Sequence, residues 1–177
     1  VAAARLLAPL DRLRLELDER WPRGARLARE RGGKGRAHLS GLGRVMQGPT
    51  RSLEGFCHVD DLAPLDPGAG TFSANVYLET PPAGGHLHLW GLELRSRWDF
   101  HRNAFTLSAL MTQDPGGQAR LRAALGPPAA EVRPAPGDLV LLCAQRPHAV
   151  QGFPFGTRIS FQAFINHNKE KALTIEA

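Results

Sequence analysis

The chain has 177 residues, a net charge of +5 and 42% apolar residues, enough to bury one core and too apolar for a wholly disordered chain. No apolar run approaches the roughly 18–20 residues that cross a bilayer, and no stretch is laid out as a signal peptide. The expectation is therefore one cytoplasmic domain over residues 1–177, without a membrane partner. Cys57 and Cys143 are too few for a disulfide framework, and opening on Val1 rather than Met is what a missing N-terminal piece would leave.

In chain order, the first element reads as a helix. Leu6, Leu10, Leu13 and Leu17 recur at steps of four, three and four, with Pro9 in a first-turn position and Pro22 ending the pattern. Such a stripe must dock, and the back of a sheet is the natural place. Residues 1–36 form this helix and a basic, glycine-containing connection. Residues 1–57 hold 12 of the 22 Lys and Arg but only 6 of the 17 Asp and Glu, with Arg20, Arg23, Arg26, Arg29, Arg31, Lys34 and Arg36 clustered. A cluster of this kind can meet phosphates, but Trp21 is its only aromatic neighbour, so no base-stacking platform exists. The plainer reading is a solvated face, with no nucleic-acid partner.

From residue 37 the chain changes to short strands and turns, as 19 Gly and 14 Pro require. Phe72–Glu79 alternates, with Ser73, Asn75 and Tyr77 on one face. After the Pro81–Gly85 turn, His86–Leu94 reads as a strand, and Ala104–Met111 as another. Residues 113–136 are an excursion with a short helix near 119–125. Gly137–Ala144 reads as a buried strand, and Pro147–Gln151 with Arg158–Asn166 as a hairpin across Gly152–Gly156. The pattern predicts a mainly β fold, an antiparallel sandwich or jelly roll over residues 37–177, with α-helices flanking it.

Three widely spaced pieces carry the chemistry. His58 and Asp60 are two apart, so on an extended segment both side chains point the same way. His148 follows the Gln145-Arg146-Pro147 bend and can supply a third ligand. Two imidazoles and one carboxylate on one face of an octahedron are the non-haem Fe(II) oxygenase arrangement. Arg158, with Ser160 on the same strand face, offers a planar fork suited to a carboxylate of a bidentate co-substrate.

These residues resemble the Fe(II)/2-oxoglutarate-dependent dioxygenase superfamily across about residues 56–166. The likeness rests on GFCHVDD (55–61), NVYLETPPAGGHLHLW (75–90), PGDLVLLCAQRPHAV (136–150) and GFPFGTRISFQAFI (152–165). It implies a double-stranded β-helix, iron on His58, Asp60 and His148, and 2-oxoglutarate with its distal carboxylate on Arg158 and Ser160. It also implies O2-dependent oxidation of an unactivated C–H bond, releasing succinate and CO2. Hydroxylation is the default outcome, with desaturation and ring closure as alternatives, and the presence of Asp60 argues against halogenation. The substrate implied is a small molecule, by analogy an amino acid or derivative from natural-product biosynthesis. The departure from the pattern is the 88-position interval between Asp60 and His148, which the 113–136 excursion accounts for.

Further assignments stay open at this level. Asn75 is either a donor to the keto acid or substrate, or half of a cross-strand polar pair. Tyr77, His86, His88, Trp90 and Gln162 are candidate substrate contacts, and Arg146 is a substrate contact or a surface residue, the latter favoured. His38, His101 and His167 have no ligand spacing, and Cys57 should face away from His58 and pack.

Two rival readings remain. His86-Leu87-His88 followed by Glu93 resembles a cupin metal motif, with Gly137-Asp138 opening the second motif and His148 shared. However, Thr80 replaces the motif's leading glycine, and that reading leaves His58, Asp60 and Arg158 idle. A non-enzymatic basic binding module would instead show steep salt dependence and indifference to chelators.

Overall fold

The computed structural model describes residues 8–30, 35–50, 55–61, 68–92, 96–103 and 112–177. Among these, the chain is mainly β. Helix α1 (Pro9–Arg20) starts on Pro9, whose missing N–H costs nothing in a first turn, and carries Asp11 early and Arg20 late, matching the helix dipole. Its Leu10, Leu13 and Leu17, with Trp21, pack on Ala74, Ala163, Ile165, Leu173 and Ile175. The stripe docks on the back of a sheet, as its spacing predicts; Leu6 lies outside the described residues.

That sheet has six strands: β1 (Ala25–Leu27), β2 (Leu42–Gln47), β3 (Ala69–Glu79), β6 (Leu139–Cys143), β8 (Thr157–Asn168) and β9 (Leu173–Glu176). Its order is β1-β9-β8-β3-β6, and β2 also pairs with β8. The 12-residue β8 is the spine. One edge takes β3 along most of its length, while the other takes β2 at residues 157–162 and β9 at 164–166. A second, antiparallel sheet has order β5-β4-β7, from β5 (Ala130–Val132), β4 (Leu87–Leu89) and β7 (His148–Val150). Helices α2 (Arg97–Arg102) and α3 (Pro115–Leu125) complete the elements. The α3 start is fixed by Asp114, whose side chain accepts from Gly117 N at 2.6 Å.

Three expectations are corrected. The residues around His148 and those around Arg158 do not form a hairpin: β7 pairs with β4, and β8 with strands of the large sheet. The linking loop is pinned elsewhere. Phe153 N donates to Thr50 Oγ1 and Thr50 N donates to Phe153 O, while Gly48 N reaches Gly156 O. The loop therefore crosses from one sheet to the other. The apolar run at 137–144 is not a buried strand but lies at the end of the strand order, with Leu142 inward and Leu139 and Leu141 43% and 51% exposed. A continuous apolar run suggests burial on both faces, yet no strand of the described residues pairs beyond it. The strand expected over His86–Leu94 is confined to Leu87–Leu89. The strand expected at 104–111 lies outside the described residues. No helix of the described residues is long and apolar enough to cross a membrane.

Candidate metal centre

The two sheets enclose a cavity of about 90 Å³. Its walls follow from the period of two along each strand. On β8, Arg158 and Gln162 face it, flanking Ser160; on β3, Asn75 and Tyr77 do, paired in register with Gln162 and Ser160. From the small sheet come Leu87, His148 and Val150, and from the preceding segment Phe56 and His58. The intervening residues turn outward: Cys57 and Ala149 pack with Trp90 and Leu121 of α3 in a separate cluster.

His58 and His148 line this cavity and meet Asp60 beside it, the one group of three potential metal ligands among the described residues, with one ligand atom each within 4.8 Å of the others. His58 and His148 face each other as an isolated antiparallel bridge, exchanging N–H···O bonds of 3.0 and 2.9 Å. Asp60 N donates to Ala144 O at 2.9 Å, fixing the carboxylate beneath the rings. His58 Nε2 lies 3.5 Å from Asp60 Oδ1, and His148 Nε2 lies 3.4 Å from Asp60 Oδ2.

The protons on the rings follow from chemistry. His58 Nδ1 is 2.9 Å from Phe56 O, and His148 Nδ1 is 2.9 Å from Arg146 O. A carbonyl only accepts, so each Nδ1 carries the hydrogen. In the neutral imidazoles each Nε2 then presents a lone pair. Two nitrogen lone pairs and a carboxylate converge, an arrangement that calls for a cation. Burial alone would raise the Asp60 carboxyl, but positive charge at the two Nε2 positions, whether a second ring proton or a cation in its place, outweighs it and holds the group far below the carboxylate range. Asp60 is thus an anion throughout the working pH range. The donor set of two imidazoles and one carboxylate fits Fe(II).

The ligand-bearing segment has little sheet support of its own, and α3 supplies the rest. Gln118 clamps Cys57 from both sides, accepting from its N–H at 2.7 Å and donating to its carbonyl at 3.0 Å. Arg122 donates to Gly55 O at 3.0 Å. Gly55 itself lies so close to the Val150 carbonyl that any Cβ there would collide with it. The excursion is therefore a brace for His58, a role no motif announces. Burial raises the Cys57 thiol to about 12, in keeping with a packing residue.

Gln162 lines the cavity and also holds the Asp60 carboxylate. Its Nε2 donates to Asp60 Oδ2 at 3.3 Å and to Ser73 Oγ at 2.8 Å, and Asn75 Nδ2 donates to the same Ser73 Oγ at 3.2 Å. Gln162→Leu is expected to lower divalent-metal affinity roughly 10–100-fold, the usual effect of removing an outer hydrogen bond to a ligand. Metal titration against an unchanged melting curve checks it.

Deeper in the cavity, Arg158 is only 4% exposed. Its guanidinium donates to Ser160 Oγ at 3.3 Å and Tyr77 OH at 3.1 Å, and its carbon lies 4.8 Å from the Tyr77 ring centroid. All these partners are neutral. Nε is buried with no hydrogen-bond partner, and no carboxylate of the described residues pairs with the group. A buried cation left in this state is costly, and a carboxylate entering the cavity would meet it.

His86, His88 and Trp90 are placed elsewhere. Leu87 takes the cavity side of β4, so its neighbours turn to the outer face. There His86 Nδ1 and His88 Nε2 approach Glu131 at 2.9 and 3.6 Å. Trp90 donates to Gly126 O at 2.9 Å and is buried under α3. Arg146 gives its carbonyl to His148, and its half-buried side chain does not line the cavity. Glu93 lies outside the described residues. Two cavity residues had no signal in the sequence: Arg44 and Met46, both from β2.

No family model and no curated protein matches the chain. Solved structures do share its fold. One is a novel N-substituted L-amino acid dioxygenase from Burkholderia ambifaria AMMD, with TM-score 0.54 and 18% identity over 80% of this chain and 53% of that one. Another is such a dioxygenase from the same organism in complex with alpha-KG, with TM-score 0.58 and 16% identity over 86% of this chain and 58% of that one. The chain thus spans little more than half the length of these structures. At such identity the likeness is one of fold, and the coarser expectation of a mainly β fold holds.

Proposed function

We propose that the chain is an Fe(II)- and 2-oxoglutarate-dependent oxygenase acting on a small substrate, an amino acid or derivative, with succinate and CO2 as co-products and hydroxylation as the default outcome. The observation that carries this reading is a buried guanidinium without an acidic partner among the described residues, Arg158, lining the same cavity as His58 and His148 of the His58–Asp60–His148 cluster. His58, Asp60 and His148 would hold the ion, and Arg158, Ser160 and Tyr77 the distal carboxylate of the keto acid. When bound, ion and keto acid supply the oxidising power drawn from O2. The residues of the chain orient and exclude: the Nδ1–H bonds to Phe56 and Arg146 aim the imidazoles, Gln162 holds the carboxylate, and the apolar side chains of Leu87, Leu142 and Val150 limit water. The substrate class is supported by the fold-sharing dioxygenases, and 2-oxoglutarate by the one that binds it.

Anaerobic titration with Fe(II) and 2-oxoglutarate tests the proposal through the visible charge-transfer band of the chelate. The band should form in the wild-type chain and persist in His88→Ala, because His88 lies on the outer face of β4. A band lost with His88 and kept in His58→Ala would favour the cupin arrangement instead.

A further inference from the structure

Arg44 is a cation that the proposed reaction leaves unused. It lies on β2 directly opposite Ser160, as Met46 lies opposite Arg158. Residues opposed in an antiparallel pair project to the same side of the sheet, so Arg44 and Met46 share the face of Ser160 and Arg158. Ser160 and Arg158 are buried, whereas Arg44 is exposed and still lines the cavity. It therefore stands at the mouth. No hydrogen bond or ion pair holds its guanidinium among the described residues.

Charge counting makes the surplus specific. In the proposed complex, the two positive charges of the ion and that of Arg158 are cancelled by Asp60 and the two carboxylates of 2-oxoglutarate. Arg44 remains. Beyond it the cavity wall is apolar and aromatic, from Met46, Phe56, Leu87, Leu142 and Val150. We infer that Arg44 is a specificity-determining residue that binds a carboxylate of the substrate, and that the substrate is a small organic acid with an apolar body. The inference rests on the oxygenase reading above. It separates free acids from their neutral amides, because an exposed guanidinium forms charge-assisted, bidentate bonds only with the former.

The test uses the Fe(II)–2-oxoglutarate holoenzyme. The probes are N-acetyl-L-leucine and N-acetyl-L-phenylalanine, each against its primary amide. Binding is read anaerobically as the shift each probe causes in the chelate band, and in air as stimulated succinate release. Both acids should bind at least about tenfold more tightly than their amides, the size of one charge-assisted contact. Arg44→Gln should erase that preference by weakening the acids alone, and Arg44→Lys should restore part of it. The affinity for 2-oxoglutarate should be the same in all three proteins. Equal binding of acid and amide to the wild-type holoenzyme, including no binding of either, overturns the inference. So does an Arg44→Gln protein that retains the preference or that loses 2-oxoglutarate instead. If no chelate band forms in the wild-type chain, the oxygenase reading itself fails, an outcome distinct from a band that forms without acid preference.

Discussion

Asp60→Ala is expected to abolish iron-dependent turnover and to lower divalent-metal affinity by more than the roughly 10–100-fold typical of outer hydrogen-bond partners. The reason is electrostatic. Asp60 is the only anion of the cluster, it faces the ring nitrogens with both oxygens, and its side chain is 6% exposed. Without it, two neutral nitrogens would have to hold a divalent ion in a site largely shut off from water. The variant also leaves Gln162 with Ser73 as its remaining partner, so folding must be monitored beside function. Asp60→Asn serves that purpose: it keeps the shape and the amide contact but not the charge. Both variants should melt cooperatively, fail to form the Fe(II)–2-oxoglutarate band and release no succinate. Turnover preserved in either would remove Asp60 from the ligand set.

The parts of this site that could be read from sequence are those governed by a period of two. His58 and Asp60 share a face because they are two apart, as do Arg158, Ser160 and Gln162, and as do Ser73, Asn75 and Tyr77. In the structure the last set faces inward, Asn75 and Tyr77 lining the cavity, and Asn75 donates to Ser73 two residues back on its own strand rather than across strands. What was illegible depends on partners far along the chain. Arg44 reaches the cavity only because β2 pairs with β8, and LGRVMQ has no alternation to mark a buried face. The clamp of Gln118 on Cys57 spans 61 positions through side-chain amide chemistry, for which no local pattern exists.

The errors have the same origin. A five-residue loop rich in Gly and Pro between two strands has the composition of a hairpin. Whether its arms pair is settled by Thr50, about a hundred residues earlier. Likewise, His86-Leu87-His88 looks like a ligand pair, and the alternation was visible. Which of the two faces points inward was not, because that depends on the register of Leu87 with Val150 across the small sheet.

Arg158→Gln is expected to raise the 2-oxoglutarate concentration needed for chelate formation by about 30- to 300-fold, with Fe(II) affinity little changed. Truncating one member of a buried, hydrogen-bonded charge pair costs roughly 2–5 kcal/mol, and the lower part of that range applies because glutamine keeps part of the hydrogen bonding. The guanidinium is already desolvated and aligned: Tyr77 and Ser160 fix two of its nitrogens, the Tyr77 ring lies against its face, and Nε has no partner among the described residues. Its alignment is prepared before any ligand arrives, which spares the incoming carboxylate the cost of ordering a long side chain. Removal of the charge should also make the empty cavity less costly. The variant is therefore expected to melt at a temperature equal to or above the wild type without ligand, and to lose the stabilisation that 2-oxoglutarate gives the iron-loaded wild type. That crossing of stabilities separates a seat for a diacid from a structural arginine, since a structural role predicts a lower melting temperature in both conditions. A chelate forming at unchanged 2-oxoglutarate concentration would reassign Arg158.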